Sequence, residues 1–135
     1  MTLEQKQRIR ERYRKAVHPL PRAKDEPRVA VYIRTAAPSI DQAASDELLT
    51  CEYREYGRKR GWNLVAFYTD QGQEHSALDK LKDDCRDGEI DLVATRTVRT
   101  IGQDLNKVME TITAFAARSV DVYFMAEGIL MEAER

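Results

Sequence analysis

The sequence predicts an α/β domain: a mostly parallel sheet of four or more strands with helices on both faces. Three observations carry this. Four short apolar runs, VAVYI (29–33), LVAFY (64–68), DLVAT (91–95) and VDVYFM (120–125), are separated by stretches long enough to hold a helix each. The runs are continuously apolar rather than alternating, as strands covered on both faces read. The stretches between them place apolar residues three and four apart, the period of a helix face. Such β-α-β alternation implies right-handed crossovers around one layered core.

Each helix has its own signals. Ser39 and Gln42 have capping-box spacing and open a helix ending near Gly61, with Leu49, Tyr53 and Tyr56 on one face. Ser76 can cap a second helix, in which Leu78, Leu81 and Cys85 share a face and Gly88 is the stop. In the third, Leu105, Val108, Met109, Ile112, Phe115 and Ala116 trace one stripe, and Gly102 is expected to serve a tight turn before it. Trp62 is expected at the sheet edge. In open parallel sheets ligands bind beyond the carboxyl ends of the strands. Here those ends are Arg34 and its loop, residues 69–75, residues 96–103, and Glu127 with Gly128.

At 135 residues the chain fits one domain. No apolar run approaches the roughly 18 residues of a membrane span, and the polar start MTLEQKQRIRERYRK is no secretory signal, so a cytoplasmic protein without membrane contact is expected. Cys51 and Cys85 stand alone, with no ligand spacing, and are read as reduced, buried thiols. Asp70, Glu74 and His75 supply a single histidine in a loop, too little for a metal, and no cofactor is expected.

A net charge of −1 hides an asymmetry: residues 1–28 carry nine Lys/Arg and four acids, a net of +5, against −6 for the rest. The organisation is therefore a basic, proline-containing arm (1–28) leading an acidic domain (29–135). Prolines at 19, 21 and 27 stop any helix there, while residues 3–16 are compatible with one whose apolar stripe of Ile9, Tyr13 and Ala16/Val17 is thin. The arm reads either as a phosphate binder, through Lys6, Arg8, Arg10, Arg12, Arg14 and Lys15, or as a solvated leader. Arg96 and Arg99 either touch phosphate or pair with Asp70 or Asp104.

From residue 29 to about 130 the chain resembles the catalytic domain of the serine recombinases, the resolvase/invertase family of site-specific DNA recombinases. Tyr32-Ile33-Arg34-Thr35-Ala36 follows a strand ending Tyr-x-Arg-x-Ser up to its last residue. RKRGWNLVAFY matches a helix-to-strand turn, Asp70-Gln71-Gly72 an Asp-x-Gly ending, and DGEIDLVAT the next turn. TVRTIGQDL stands where the family writes Leu-Asp-Arg-Leu-Gly-Arg-Asp, and RSVDVYFMAEGI matches the last strand and its ending.

The resemblance implies a serine that attacks a DNA phosphodiester, with cations holding the charge that develops on the non-bridging oxygens. Here Ala36 occupies the nucleophile position and has no hydroxyl. Arg99, Thr100 and Gln103 stand where an aspartate and two arginines are expected, His75 falls nearest another arginine, and Leu49 near a glutamine. Arg34 and Asp70 remain of that set. Thr35, a neighbouring hydroxyl, points to the other face if it continues the strand, and Ser39 reads as a cap. The resemblance also leads to a long dimerisation helix and a DNA-binding domain, which the expected domain 29–135, ending ILMEAER, lacks.

Two readings follow. One is a catalytically silent recombinase-like module that binds DNA or protein, an accessory of a mobile genetic element, with a recombinase or another protein of that element as partner. The other is a divergent or partner-dependent recombinase in which a complementing chain supplies the missing groups. An unrelated nucleotide-binding domain is disfavoured by the absence of a glycine-rich phosphate loop.

Overall fold

Residues 13–15, 26–35 and 42–133 are described by a computed structural model, residues 13–15 and 42–46 through the backbone alone. The strands are β1 (Tyr13–Lys15), β2 (Arg28–Thr35), β3 (Asn63–Gln71), β4 (Leu92–Thr95), β5 (Asp121–Phe124) and β6 (Ile129–Met131). The helices are α1 (Gln42–Arg60), α2 (Ser76–Asp84), α3 (Val98–Ile101) and α4 (Leu105–Ala116), with a 3₁₀ turn at Cys85–Asp87. They form one six-stranded sheet ordered β1-β6-β5-β4-β2-β3. β3, β2, β4 and β5 are parallel, and β6 and β1 add antiparallel strands at one edge.

The central strand explains the layering. Successive side chains of a strand point to opposite faces, and β2 divides its residues accordingly. Ala30 and Tyr32 join a core with Leu78, Leu81 and Cys85 of the α2 segment and Val108 and Phe115 of α4. Val31 and Ile33 join Tyr53 of α1, and Val29 packs with Trp62, Leu92 and Tyr123. Helices therefore cover both faces, and the continuous apolar runs are the consequence.

Several boundaries differ from the sequence expectation. Residues 13–15, expected at the end of a helix, instead form β1, whose Tyr13 and Lys15 stand opposite Met131 and Ile129. A thin apolar stripe buries little on a helix, whereas a free β6 edge offers backbone hydrogen bonds to any extended segment. Glu127 and Gly128 belong to the tight β5–β6 turn, made possible by Gly128 at φ +65°. β6 was not expected, because three residues give no period to read.

Leu105 is half exposed, and the inward stripe of α4 is Val108, Thr111 and Phe115. Asp104 caps this helix by accepting from the amide of Asn106 at 2.9 Å. Gly102 is extended, at φ 175°, and no left-handed turn requires a glycine there. Trp62 lies on the sheet face, its ring 5.5 Å from Tyr56 and 5.8 Å from Tyr123 of β5. Cys51 is exposed while Cys85 is buried, and both are free. Burial pushes the Cys85 thiol up to about 12, which keeps it protonated. Among the described residues no helix is long and apolar enough to cross a membrane.

The two stripe positions of α4 separate experimentally. Phe115→Ala, at 1% exposure, is expected to cost about 3–5 kcal/mol in urea unfolding. Leu105→Ala, at 50% exposure, is expected to cost under about 1 kcal/mol.

Candidate functional site at the carboxyl ends of the strands

The chain leaves β2 toward β3 on one side and continues through β4 and β5 on the other, so the order reverses between β2 and β4. The carboxyl ends flanking such a reversal form the crevice where open α/β sheets hold ligands. Arg34 is on one side of it and the loop 96–103 on the other.

Arg34 and Tyr32 are two apart on one strand and so share a face. Arg34 Nε donates to the carbonyl of Thr100 at 2.9 Å, across the crevice. Its Nη1 donates to the carbonyls of Gly72 at 2.9 Å and Glu74 at 2.6 Å, and its Nη2 to Tyr32 Oη at 2.7 Å. Four hydrogen bonds thus occupy a group with five N–H donors. The guanidinium pins the β3–α2 loop and α3 to the end of β2.

Tyr32 Oη passes the chain on, donating to Asp70 Oδ2 at 2.7 Å. Asp70 is 1% exposed and closes the network on α2, accepting from the amides of Ala77 at 2.8 Å and Leu78 at 3.0 Å. Burial alone would raise its pKa. The hydrogen bonds from Tyr32, Ala77 and Leu78, with the field of Arg34, outweigh that and hold the carboxyl below its ordinary range. Burial raises the Tyr32 phenol, as does its bond to Asp70, so it stays a donor.

Asp70 also replaces the expected cap. His75, not Ser76, occupies the N-cap of α2, and it makes no side-chain cap hydrogen bond. The first free amides of α2 are met instead by a carboxylate at the end of β3, a tertiary contact invisible to local spacing. The Ser39 cap and Ala36 lie outside the described residues, as do Lys6, Arg8, Arg10 and Arg12. Arg14 and Lys15 are placed by backbone only, on β1.

The other positions are scattered. Leu49 is half-buried against Val31, Ile33 and Tyr53, an apolar role. Thr100 closes a capping box with Thr97 on α3, and its carbonyl receives Arg34. Arg96, Arg99, His75 and Gln103 are exposed. The pairings expected for Arg96 and Arg99 do not form: Asp70 is committed to Tyr32 and α2, and Asp104 to the α4 cap. Thr35 follows Ile33 on the α1 face by strand alternation, and its buried hydroxyl has no hydrogen-bond partner among the described residues. Among the described residues no cluster of His, Cys, Asp and Glu can hold a metal. Sequence reasoning missed Tyr32 as the hub. The Tyr-x-Arg spacing, two residues on one face of a strand, was the available signal.

A doubly wound sheet with its polar network at the switch point defines a class of α/β domains with ligand sites there. Residues 29–135 match the family "Resolvase, N terminal domain", and the chain belongs to that family. Solved structures agree in fold. The N-terminal catalytic domain of TP901-1 integrase is 20% identical, with a TM-score of 0.61 over 75% of this chain and 78% of that one. A resolvase family site-specific recombinase from Streptococcus pneumoniae is 15% identical, with a TM-score of 0.64 over 78% and 76%. The C-terminal catalytic domain of ISC1926 TnpA, an IS607-like serine recombinase, is 18% identical, with 0.61 over 73% and 67%. No curated protein matches the chain in sequence.

The network makes a pH prediction. A carboxyl whose folded pKa is depressed contributes stability that is present above its unfolded value, about 3.9, and is lost as pH falls through the folded value. Wild-type stability should therefore drop as pH falls below about 4, and Asp70→Asn should flatten that drop. At pH 7 Tyr32→Phe is expected to cost about 1–3 kcal/mol, because it removes the donor to a buried carboxylate and a bond to Arg34. Urea unfolding across pH 2–7 reads both effects.

Proposed function

We propose that the chain is a recombinase-like module that does not cleave DNA itself and serves as a DNA- or protein-binding accessory of a mobile genetic element in the cytoplasm. One observation carries the reading. Arg34, a cation the resemblance would assign to a scissile phosphate, spends its hydrogen bonds on three backbone carbonyls and Tyr32. A phosphate reaching it would find a single N–H without a hydrogen bond among the described residues, and a bidentate grip would require displacing a carbonyl or Tyr32. The sequence adds Ala36 at the nucleophile position and Thr100 and Gln103 where arginines are expected.

DNA is the natural ligand class, since the solved proteins of like fold are an integrase and recombinases. Contact would come through the phosphate backbone. Lys6, Arg8, Arg10, Arg12, Arg14 and Lys15 concentrate charge in the arm, and exposed Arg96 and Arg99 form no ion pair among the described residues. Such contacts release condensed counterions and bind without reading bases. A protein partner, a recombinase of the same element, would supply the cleavage chemistry.

The test compares the full chain with one beginning at Pro27 on labelled duplex DNA, between roughly 50 and 200 mM salt. The full chain is expected to bind with affinity falling steeply in salt, and the shortened chain to lose most of that affinity. Arg96→Ala with Arg99→Ala should make the salt slope shallower by about two. On a nicked recombination substrate no covalent protein–DNA adduct is expected. An adduct that disappears in Thr35→Ala or Ser39→Ala overturns the reading.

A further inference from the structure

The two edges of the sheet are unlike. One ends in β1, three residues long and carrying Arg14 and Lys15. Short, charged edges are how folded proteins discourage another chain from adding on. The other ends in β3, nine residues of sequence NLVAFYTDQ with no lysine, arginine or proline. Its one acid, Asp70, is turned inward onto Tyr32 and α2. A register shift at Val29/Ala30 leaves Val65 as an extra residue, but 66–71 then run in unbroken register with 30–35. Among the described residues no strand pairs with the outer side of β3. An edge of this length with its backbone groups unspent is a template for a further strand.

Beside that edge lies a cavity of about 480 Å³ whose apolar side is Val65, Ala66, Ile90 and the Tyr68 ring. Val65 is 45% exposed. Its polar side is acidic, with Asp84, Asp87 and Glu89. Asp84 is engaged, accepting from Tyr68 Oη at 2.5 Å and meeting Lys80 at 3.5 Å. The one cation of the lining, Arg28, is held by both oxygens of Asp91 and by the Gly88 carbonyl. Asp87 and Glu89 form no ion pair among the described residues. The groove therefore offers apolar contact and two carboxylates that form no ion pair among the described residues, beside an edge that no described strand covers.

We propose that the β3 edge and this groove receive an extended segment of a partner protein that alternates basic with apolar side chains. It would add a strand to β3, its basic side chains lying over Val65 and Ala66 toward Asp87 and Glu89, and its apolar ones on the opposite face of the sheet, beside Phe67. The alternation follows from the pleat, which sends successive side chains of an added strand to opposite faces. Backbone hydrogen bonds supply affinity in this mode, and side chains supply selectivity. The surface lies at the edge opposite β1, so this inference is independent of DNA contact by the arm.

The probe is a labelled eight-residue peptide alternating lysine with valine, with a glutamate–valine peptide as control, titrated into the full chain by anisotropy. The lysine peptide is expected to bind, with the control at least about tenfold weaker. N-methylation of alternate amides should weaken binding at least about tenfold in one of the two alternating sets and leave it unchanged in the other. That arm uses unaltered protein, so misfolding cannot mimic it. Asp87→Lys with Glu89→Lys, both exposed, should match the loss while the far-ultraviolet circular dichroism stays the same. No binding by about 1 mM peptide overturns the proposal. So does equal loss from both methylated sets or from neither, which would mean charge attraction without strand addition. Self-association of the full chain that vanishes on removal of residues 1–12 and competes with the peptide also overturns it, because the occupant is then the arm of a second copy.

Discussion

The carboxyl end of the sheet is organised around one buried carboxylate. Asp70 sits at the end of β3, takes a hydrogen bond from β2 through Tyr32, and takes two from the first turn of α2. A carboxylate removed from water costs several kcal/mol unless its lone pairs are satisfied. Three donors and a nearby guanidinium satisfy it here, so the site holds only while β2, β3 and α2 keep their mutual positions. The carboxylate also sits where the partial positive charge at a helix N-terminus is largest. Capping and tertiary registration are thus one contact.

Arg34 extends the same logic to the loops. Loops at strand ends carry backbone carbonyls that no ladder satisfies. The guanidinium collects three of them, from Gly72, Glu74 and Thr100, and connects them through Tyr32 to Asp70. The β3–α2 loop and α3 are consequently held to β2 by a cation fixed at its far side by a phenol. Thr95 adds a further tie, its hydroxyl donating to the Tyr32 carbonyl at 2.9 Å. The crevice between β2 and β4 is spanned by side chain and backbone, and its shape depends on that span.

Much of this was legible before the fold was seen, and the failures share a cause. The parallel strands showed because burial on both faces leaves unbroken apolar runs, and α2 and α4 because each buries one stripe. β1 and β6 did not show, since each is three residues long and is made a strand by a neighbour rather than by its own pattern. Leu105 fits the helical period yet lies half exposed, because periodicity gives a face and not the point where packing ends. Cap assignment failed at Ser76 for a related reason: a carboxylate six residues away in sequence, brought in by the fold, reached the amides first. The location of the candidate site followed from strand ends and family motifs. The allocation of its hydrogen bonds was not, because backbone carbonyls leave no trace in residue identities.

That allocation bears on how the two retained residues are to be read. The resemblance assigns Arg34 and Asp70 to family catalytic positions, and a count of matched residues would score both in favour of strand cleavage. Yet each has a structural task that needs no substrate: Asp70 holds α2 and Tyr32, and Arg34 holds two loops. Replacing either would leave buried or loop polar groups without partners, at a cost of about 1–3 kcal/mol each. With folded domains stable by only about 5–15 kcal/mol, such losses weigh heavily. Both residues would therefore be kept in a module of this fold whether or not it cuts DNA. On the proposed reading, the informative positions are those where the resemblance expects a different residue. There the resemblance expects a hydroxyl at position 36 for attack and guanidinium groups at positions 100 and 103 for a charged transition state. At those positions the sequence reads Ala36, Thr100 and Gln103.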